Sequence, residues 1–324
     1  MRDHGGDLDR AKAIYGGEDW IDLSTGINRL AYAVPDLPLR AWAALPTTED
    51  IANLEAVAAR AYGCAGPVVA LAGAQAAIQL APRLSAAGRA AVLAPSYNEH
   101  AAALTAQGWE VDAAADLNEM VGADLAVVVN PNNPDGRRWS PEALAGLAGK
   151  VGRLVVDESF ADAEDGLSLA PHLAELGESV VILRSFGKFF GLAGVRLGFV
   201  LAGPETSARV RALAGPWAVG GPAIAIGTAA LADVDWRHAT RKQLHADAAR
   251  LSALLDANAG WRTIGATALF VTVETGNALH AQAHLARAGI WTRAFPYSAG
   301  WLRLGLPGAQ IEWARLEAAL RGVT

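Results

Sequence analysis

Seven short runs of apolar, mostly β-branched residues between positions 68 and 202 limit what this chain can fold into more than any other feature. They are "VVAL" (68–71), "AAVLA" (90–94), "WEVDA" (109–113), "DLAVVV" (124–129), "RLVVD" (153–157), "SVVILR" (179–184) and "LGFVLA" (197–202). Most lack polar–apolar alternation, as strands covered on both faces do. Helical stretches separate them, among them "QAAIQLAPRLSAA" (75–87), "NEHAAALTAQ" (98–107) and "SPEALAGLAG" (140–149). In the last, Ser140 suits a helix cap and Pro141 a first turn. This alternation predicts a doubly wound α/β domain with a mostly parallel sheet.

The pattern changes near "AGPWAVGGPA" (214–223). A helical tract over 222–257 is expected next, then a strand at 269–274, a helix near 277–288, a strand at 301–306 and a last helix over 310–321. These elements suggest a smaller α+β domain. The first forty residues hold no convincing long element. The expected division is an N-terminal arm and part of the small domain over 1–40, a large ligand-binding domain over 41–215 and a small C-terminal domain over 216–324.

Charge and composition narrow the function. A net charge of −6 with no Lys- or Arg-rich stretch argues against nucleic acid as a partner. No apolar run approaches the ~18 residues of a membrane span, and "MRDHGGDLDR" has no apolar signal core. One cysteine, Cys64, excludes an internal disulfide framework and suits a reducing cytoplasm. No metal is expected.

In open α/β sheets, ligands bind beyond the carboxyl ends of the strands, and the polar residues of this chain gather there. Gly73, Ala74 and Gln75 join a strand to a helix. They read as a tight turn or as a phosphate cradle at a helix start. Tyr97 follows the next strand, as a capping hydrophobe or a stacking surface. "NPNNPDG" (130–136) is a turn that offers the Asn133 amide. Asp157 ends a buried strand, where a carboxylate needs a partner. In "SFGKFFGLAGVRLGF" (185–199), Lys188 sits among apolar residues, with Ser185 three positions before it and Arg196 eight after. A lysine in such surroundings becomes a usable amine nucleophile.

Together these motifs resemble the class I/II aminotransferase family, whose members have the fold-type I architecture and use pyridoxal 5'-phosphate (PLP). The motifs "NPNNPDG", "VVDESF" and "SFGKFFGLAGVRLGF" stand in that family's order. The resemblance implies that Lys188 holds the cofactor aldehyde, Asp157 its ring nitrogen and Asn133 its 3-oxygen. Tyr97 would stack on the ring, and Ala74, Gln75, Ser185 and Arg196 would hold the phosphate. It also implies a homodimer.

"DHGGD" and "WIDLSTGINRLAY" resemble the start of a decarboxylase branch that acts on L-threonine O-3-phosphate in cobalamin biosynthesis. That resemblance makes His4, Asn28, Arg293 and Arg303 candidate ligands of a small phosphorylated amino acid. Arg303 would take its carboxylate, and His4 with Arg293 its phosphate. Gly26 stands where the branch commonly has asparagine. The neighbouring branch, the histidinol-phosphate aminotransferases, is the alternative. Two of its usual tyrosines are replaced here, by Phe160 and Leu45.

Overall fold

A computed structural model of the chain describes residues 4–322. The strands are Ile21–Asp22 (β1), Val68–Leu71 (β2), Arg89–Leu93 (β3), Glu110–Ala114 (β4), Leu125–Val129 (β5), Leu154–Asp157 (β6), Val180–Ser185 (β7), Gly198–Ala202 (β8), Arg262–Thr267 (β9), Phe270–Glu274 (β10), Ile290–Trp291 (β11), Arg293–Phe295 (β12) and Ser298–Gly305 (β13). Two compact units divide them. One comprises Tyr32–Asn133 and Arg138–Ala239. The other comprises the chain up to Ala31, Pro134–Arg137 and the chain from Thr240 onward.

The large unit holds one seven-stranded sheet in the order β2-β8-β7-β6-β5-β3-β4. β3 to β7 pair in parallel, and β8 runs antiparallel to both β2 and β7. Val127, Val155, Val181, Leu183 and Val200 are buried together on the sheet with Ile78 and Leu104 from neighbouring helices. Each such side chain contributes about 1.5–3 kcal/mol relative to exposure. All seven expected strands form, so the α/β, fold-type I architecture is the observed one. Ser140 caps the helix Pro141–Ala148 by accepting from the Ala143 N–H.

Several elements differ from expectation. The tract over 222–257 is two helices, Gly221–Ala232 and Val234–Ala259. Asp233 between them leaves helical geometry (ψ 85°) and its carboxylate accepts from the Trp236 N–H, as a cap does. The first forty residues contain the helix Leu8–Tyr15. Residues 216–239 fall in the large unit, not with the C-terminal segment. There the helix Gly221–Ala232 lies so close to the helix Thr48–Tyr62 that a Cβ on Gly227 would stand 3.1 Å from Leu54. Pro134–Arg137 interrupts the large unit, and Tyr32–Arg40 belongs to it.

In the small unit, β12-β13-β10-β9 form an antiparallel sheet, and β1 pairs with β11 in parallel. The turn 134–137 packs on this sheet. Thr272 Oγ1 donates to the Pro134 carbonyl at 2.5 Å, and a Cβ on Gly265 would overlap the Asp135 carbonyl. Among the described residues no helix is long and apolar enough to cross a membrane.

Candidate active site

In the large unit, the carboxyl ends of β5, β6 and β7 bring Asn133, Asp157 and Lys188 to one edge of the sheet. The parallel register sets this edge, with Val129 paired to Asp157 and Asp157 to Leu183. Asp157 is buried, and its Oδ2 lies 2.8 Å from His100 Nε2 while Oδ1 accepts from the Ser159 N–H at 2.9 Å. Burial pushes the Asp157 carboxyl up. The hydrogen bond and charge of His100, the charge of Lys188 and the Ser159 contact outweigh it, so Asp157 stays below the usual carboxylate range. Each carboxylate oxygen retains acceptor capacity for one more donor.

Lys188 occupies the one-turn helix Phe186–Phe189, which starts where β7 ends. Its ammonium stands 4.9 Å from the centre of the Phe160 ring. Phe186, Phe189 and Phe190 are buried around this turn and supply the apolar setting read from the sequence. Tyr97 meets His100 edge to face at 6.2 Å, and its hydroxyl reaches Gln75 Oε1 at 3.5 Å. Gln75 in turn donates to Glu99 at 3.0 Å. Asn132 is fixed by the Pro95 carbonyl and Ser96, and the half-buried Asn133 follows it.

A second group of polar atoms gathers where β8 leaves the loop. Ser185 pairs with Gly198, and a Cβ on Gly198 would stand 2.4 Å from the Ala74 nitrogen. Gly73 adopts φ +84°, and a Cβ there would lie 2.6 Å from Arg196 Nη2. Arg196 itself adopts a left-handed conformation, φ 56°. Ala74, Ser185 and Arg196 therefore converge through contacts that only glycine permits. A guanidinium, a hydroxyl and helix-start amides form the donor set that a phosphate requires. With a buried acid held ionised and a lysine in an apolar niche, the residues present fit PLP.

The sequence reading missed His100. It also missed the ion cluster that braces these strand ends. Arg184, next to Ser185, binds Glu158 at 2.6 Å and Asp162 at 2.8 Å, all three buried. Glu158 is the neighbour of Asp157 and also accepts from Ser168 and the Leu169 N–H.

His4, Asn28, Arg293 and Arg303 lie in the small unit. Arg293 and Arg303 stand directly opposite each other on β12 and β13. Arg303 is buried and donates to the Ser24 carbonyl at 2.7 Å. Ser24 also joins the two N-terminal motifs. Its Oγ accepts from the Gly6 N–H and donates to Asp22, and a Cβ on Gly5 would stand 2.3 Å from its carbonyl oxygen. The "HGG" glycines thus let the segment after His4 lie flat on "DLSTGIN". Asn28 is buried, and its Oδ1 accepts from the Leu30 N–H.

The model of the family described as aminotransferase class I and II matches residues 18–322. A threonine-phosphate decarboxylase from Sinorhizobium sp is 44% identical over 98% of this chain and 97% of its own. A threonine-phosphate decarboxylase from Pseudomonas aeruginosa is 42% identical over 99% and 98%. In three dimensions the chain is similar to histidinol-phosphate aminotransferase from Sinorhizobium meliloti in complex with pyridoxal-5'-phosphate. The TM-score is 0.82 at 22% identity, over 97% of this chain and 93% of that one. Strand-end acid, apolar lysine, glycine cradle and full-length similarity agree, and the chain belongs to the class I and II aminotransferase family.

Proposed function

We propose that this protein is a PLP-dependent decarboxylase that converts L-threonine O-3-phosphate to (R)-1-amino-2-propanol O-2-phosphate, a step that serves cobalamin side-chain synthesis. The observation that carries this reading is 42–44% identity to threonine-phosphate decarboxylases over nearly the whole chain. A homodimer working in the cytoplasm is part of the same reading.

PLP, when bound, supplies an electron sink for the pair left at the α-carbon as carbon dioxide departs. The chain's residues do the rest. Lys188 holds the cofactor aldehyde through its amine, then moves a proton to the α-carbon. Asp157, kept ionised by His100, holds a proton on the ring nitrogen. Tyr97 covers the ring face and Asn133 meets the 3-oxygen. Ala74, Gln75, Ser185 and Arg196 bind the cofactor phosphate. Arg303 clamps the substrate carboxylate, and the direction of that clamp decides whether the carboxylate or the α-hydrogen leaves. His4 and Arg293 take the substrate phosphate, and Asn28 of the same unit is a further substrate ligand.

The test is incubation of the PLP-loaded protein with L-threonine O-3-phosphate and no 2-oxo acid, measuring carbon dioxide. Sustained release, abolished in Lys188→Ala, is expected. Amino transfer from histidinol phosphate to 2-oxoglutarate, without carbon dioxide release, would sink the proposal and establish the aminotransferase alternative.

A further inference from the structure

The turn that carries Lys188 is too short to hold itself. Phe186–Phe189 has four residues, and helices below about 12–15 residues are marginal without packing. Its packing comes from a group of rings in the large unit. Phe186 lies on Phe190 at 4.5 Å and 16°, and Phe190 lies on Trp236 at 5.4 Å and 12°. Phe189 meets Trp236 edge-on at 5.7 Å. Tyr32 is edge-on to both Trp236, at 5.1 Å, and Phe190, at 6.3 Å. The three phenylalanines are fully buried, while Trp236 and Tyr32 are half-buried at the rim. Both rim rings are tied down. The Asp233 carboxylate accepts from the Trp236 N–H at 2.9 Å, and the Tyr32 N–H donates to the Phe190 carbonyl at 2.9 Å. The turn also rests directly on neighbouring backbone, since a Cβ on Gly187 would stand 2.6 Å from the Ala193 Cα.

We infer that Trp236 is a positioning residue for Lys188: with Tyr32 it clamps the rings of Phe189 and Phe190, the two residues that follow the lysine, and so fixes the turn from which the amine meets the cofactor aldehyde. The inference rests on Lys188 as the amine that holds PLP and adds the residue that sets its place. Aromatic pairs in stacked and edge-on geometry contribute beyond their buried area, and they favour particular orientations. Trp236 makes both kinds of contact, one with each phenylalanine, which limits rotation of the turn as well as its displacement. A reacting group shifted by a fraction of its contact distance loses much of its rate. A leucine at this position would fill part of the space and would not supply the two ring geometries.

The experiment is a double-mutant cycle, read as the rate at which the loaded protein loses PLP on dilution and followed by cofactor absorbance. Trp236→Leu is expected to speed this loss about tenfold when Lys188 is present. In a Lys188→Ala background it is expected to change the loss by less than about threefold, because the ring acts through the lysine. Trp236→Phe keeps a ring and is expected to stay within about threefold of wild type. Tyr32→Leu, run through the same cycle, repeats the test at the second rim ring should Trp236→Leu not fold. In turnover of L-threonine O-3-phosphate, Trp236→Leu lowers kcat about tenfold and leaves KM within about threefold. Equal acceleration of cofactor loss in both backgrounds makes Trp236 a general packing residue and overturns the inference. So does wild-type cofactor loss in Trp236→Leu. Either result leaves the Lys188 assignment standing. Unchanged cofactor loss in Lys188→Ala alone would instead refute that assignment, and the inference with it. The cofactor readout needs no substrate, so it stands apart from the decarboxylase reading.

Discussion

At the scale of single residues, the large unit holds a buried carboxylate that remains ionised. Asp157 is held below its usual range, so it stabilises the fold at pH values above about 3.9, the unfolded carboxylate value. That contribution is lost as pH falls through the lower, folded value. The stability gap between wild type and Asp157→Asn, from urea unfolding, is therefore expected to be full near neutrality and to close below about pH 4. In a His100→Phe background the gap should close at higher pH. A gap that does not change between pH 7 and pH 3 would disprove this account. Asp157, Lys188 and Arg196 were legible in the sequence because buried strand ends and an apolar run make a charge conspicuous. His100 was not, since a histidine in the first turn of a helix has no such contrast. Its position three residues after Tyr97, on the helix that follows a strand, is the signal that would have found it.

At the scale of elements, the two strands that deliver Asp157 and Ser185 are tied at their tips by the neighbouring residues. Glu158 and Arg184 join a buried cluster with Asp162. Removing one member of such a pair leaves an uncompensated buried charge, at a cost of about 3–5 kcal/mol. Arg184→Met is expected to lower unfolding free energy by about that amount. Arg89→Met, which breaks an exposed pair with Asp112, should cost less than about 1 kcal/mol. Comparable losses in both variants would contradict the bracing role. The strands were readable because burial on both faces leaves uninterrupted apolar runs. The break at Asp233 was not, because one polar residue does not disturb a helical pattern, and only its cap geometry ends the first helix.

At the scale of the whole molecule, neither unit is continuous in sequence. The small unit joins the first residues to the last. The Gly305 N–H donates to the Leu23 carbonyl, β1 lies on β11, and Arg303 takes the Ser24 carbonyl. A fragment of residues 240–324 lacks these partners and is expected to remain unfolded, as judged by circular dichroism and amide dispersion in NMR spectra. A cooperative melt of that fragment would refute the expectation. No composition shift marks the boundary at 133/134, where "NPNNPDG" passes from one unit to the other, so this division was hidden from a reading of local pattern. It has a consequence in time. Every strand of the large sheet has been synthesised once Ala202 emerges from the ribosome. β13 and the strand partners of the N-terminal segment appear about a hundred residues later. The segment that carries β1 is thus made well before β11 and β13, and it waits for these partners on the nascent chain.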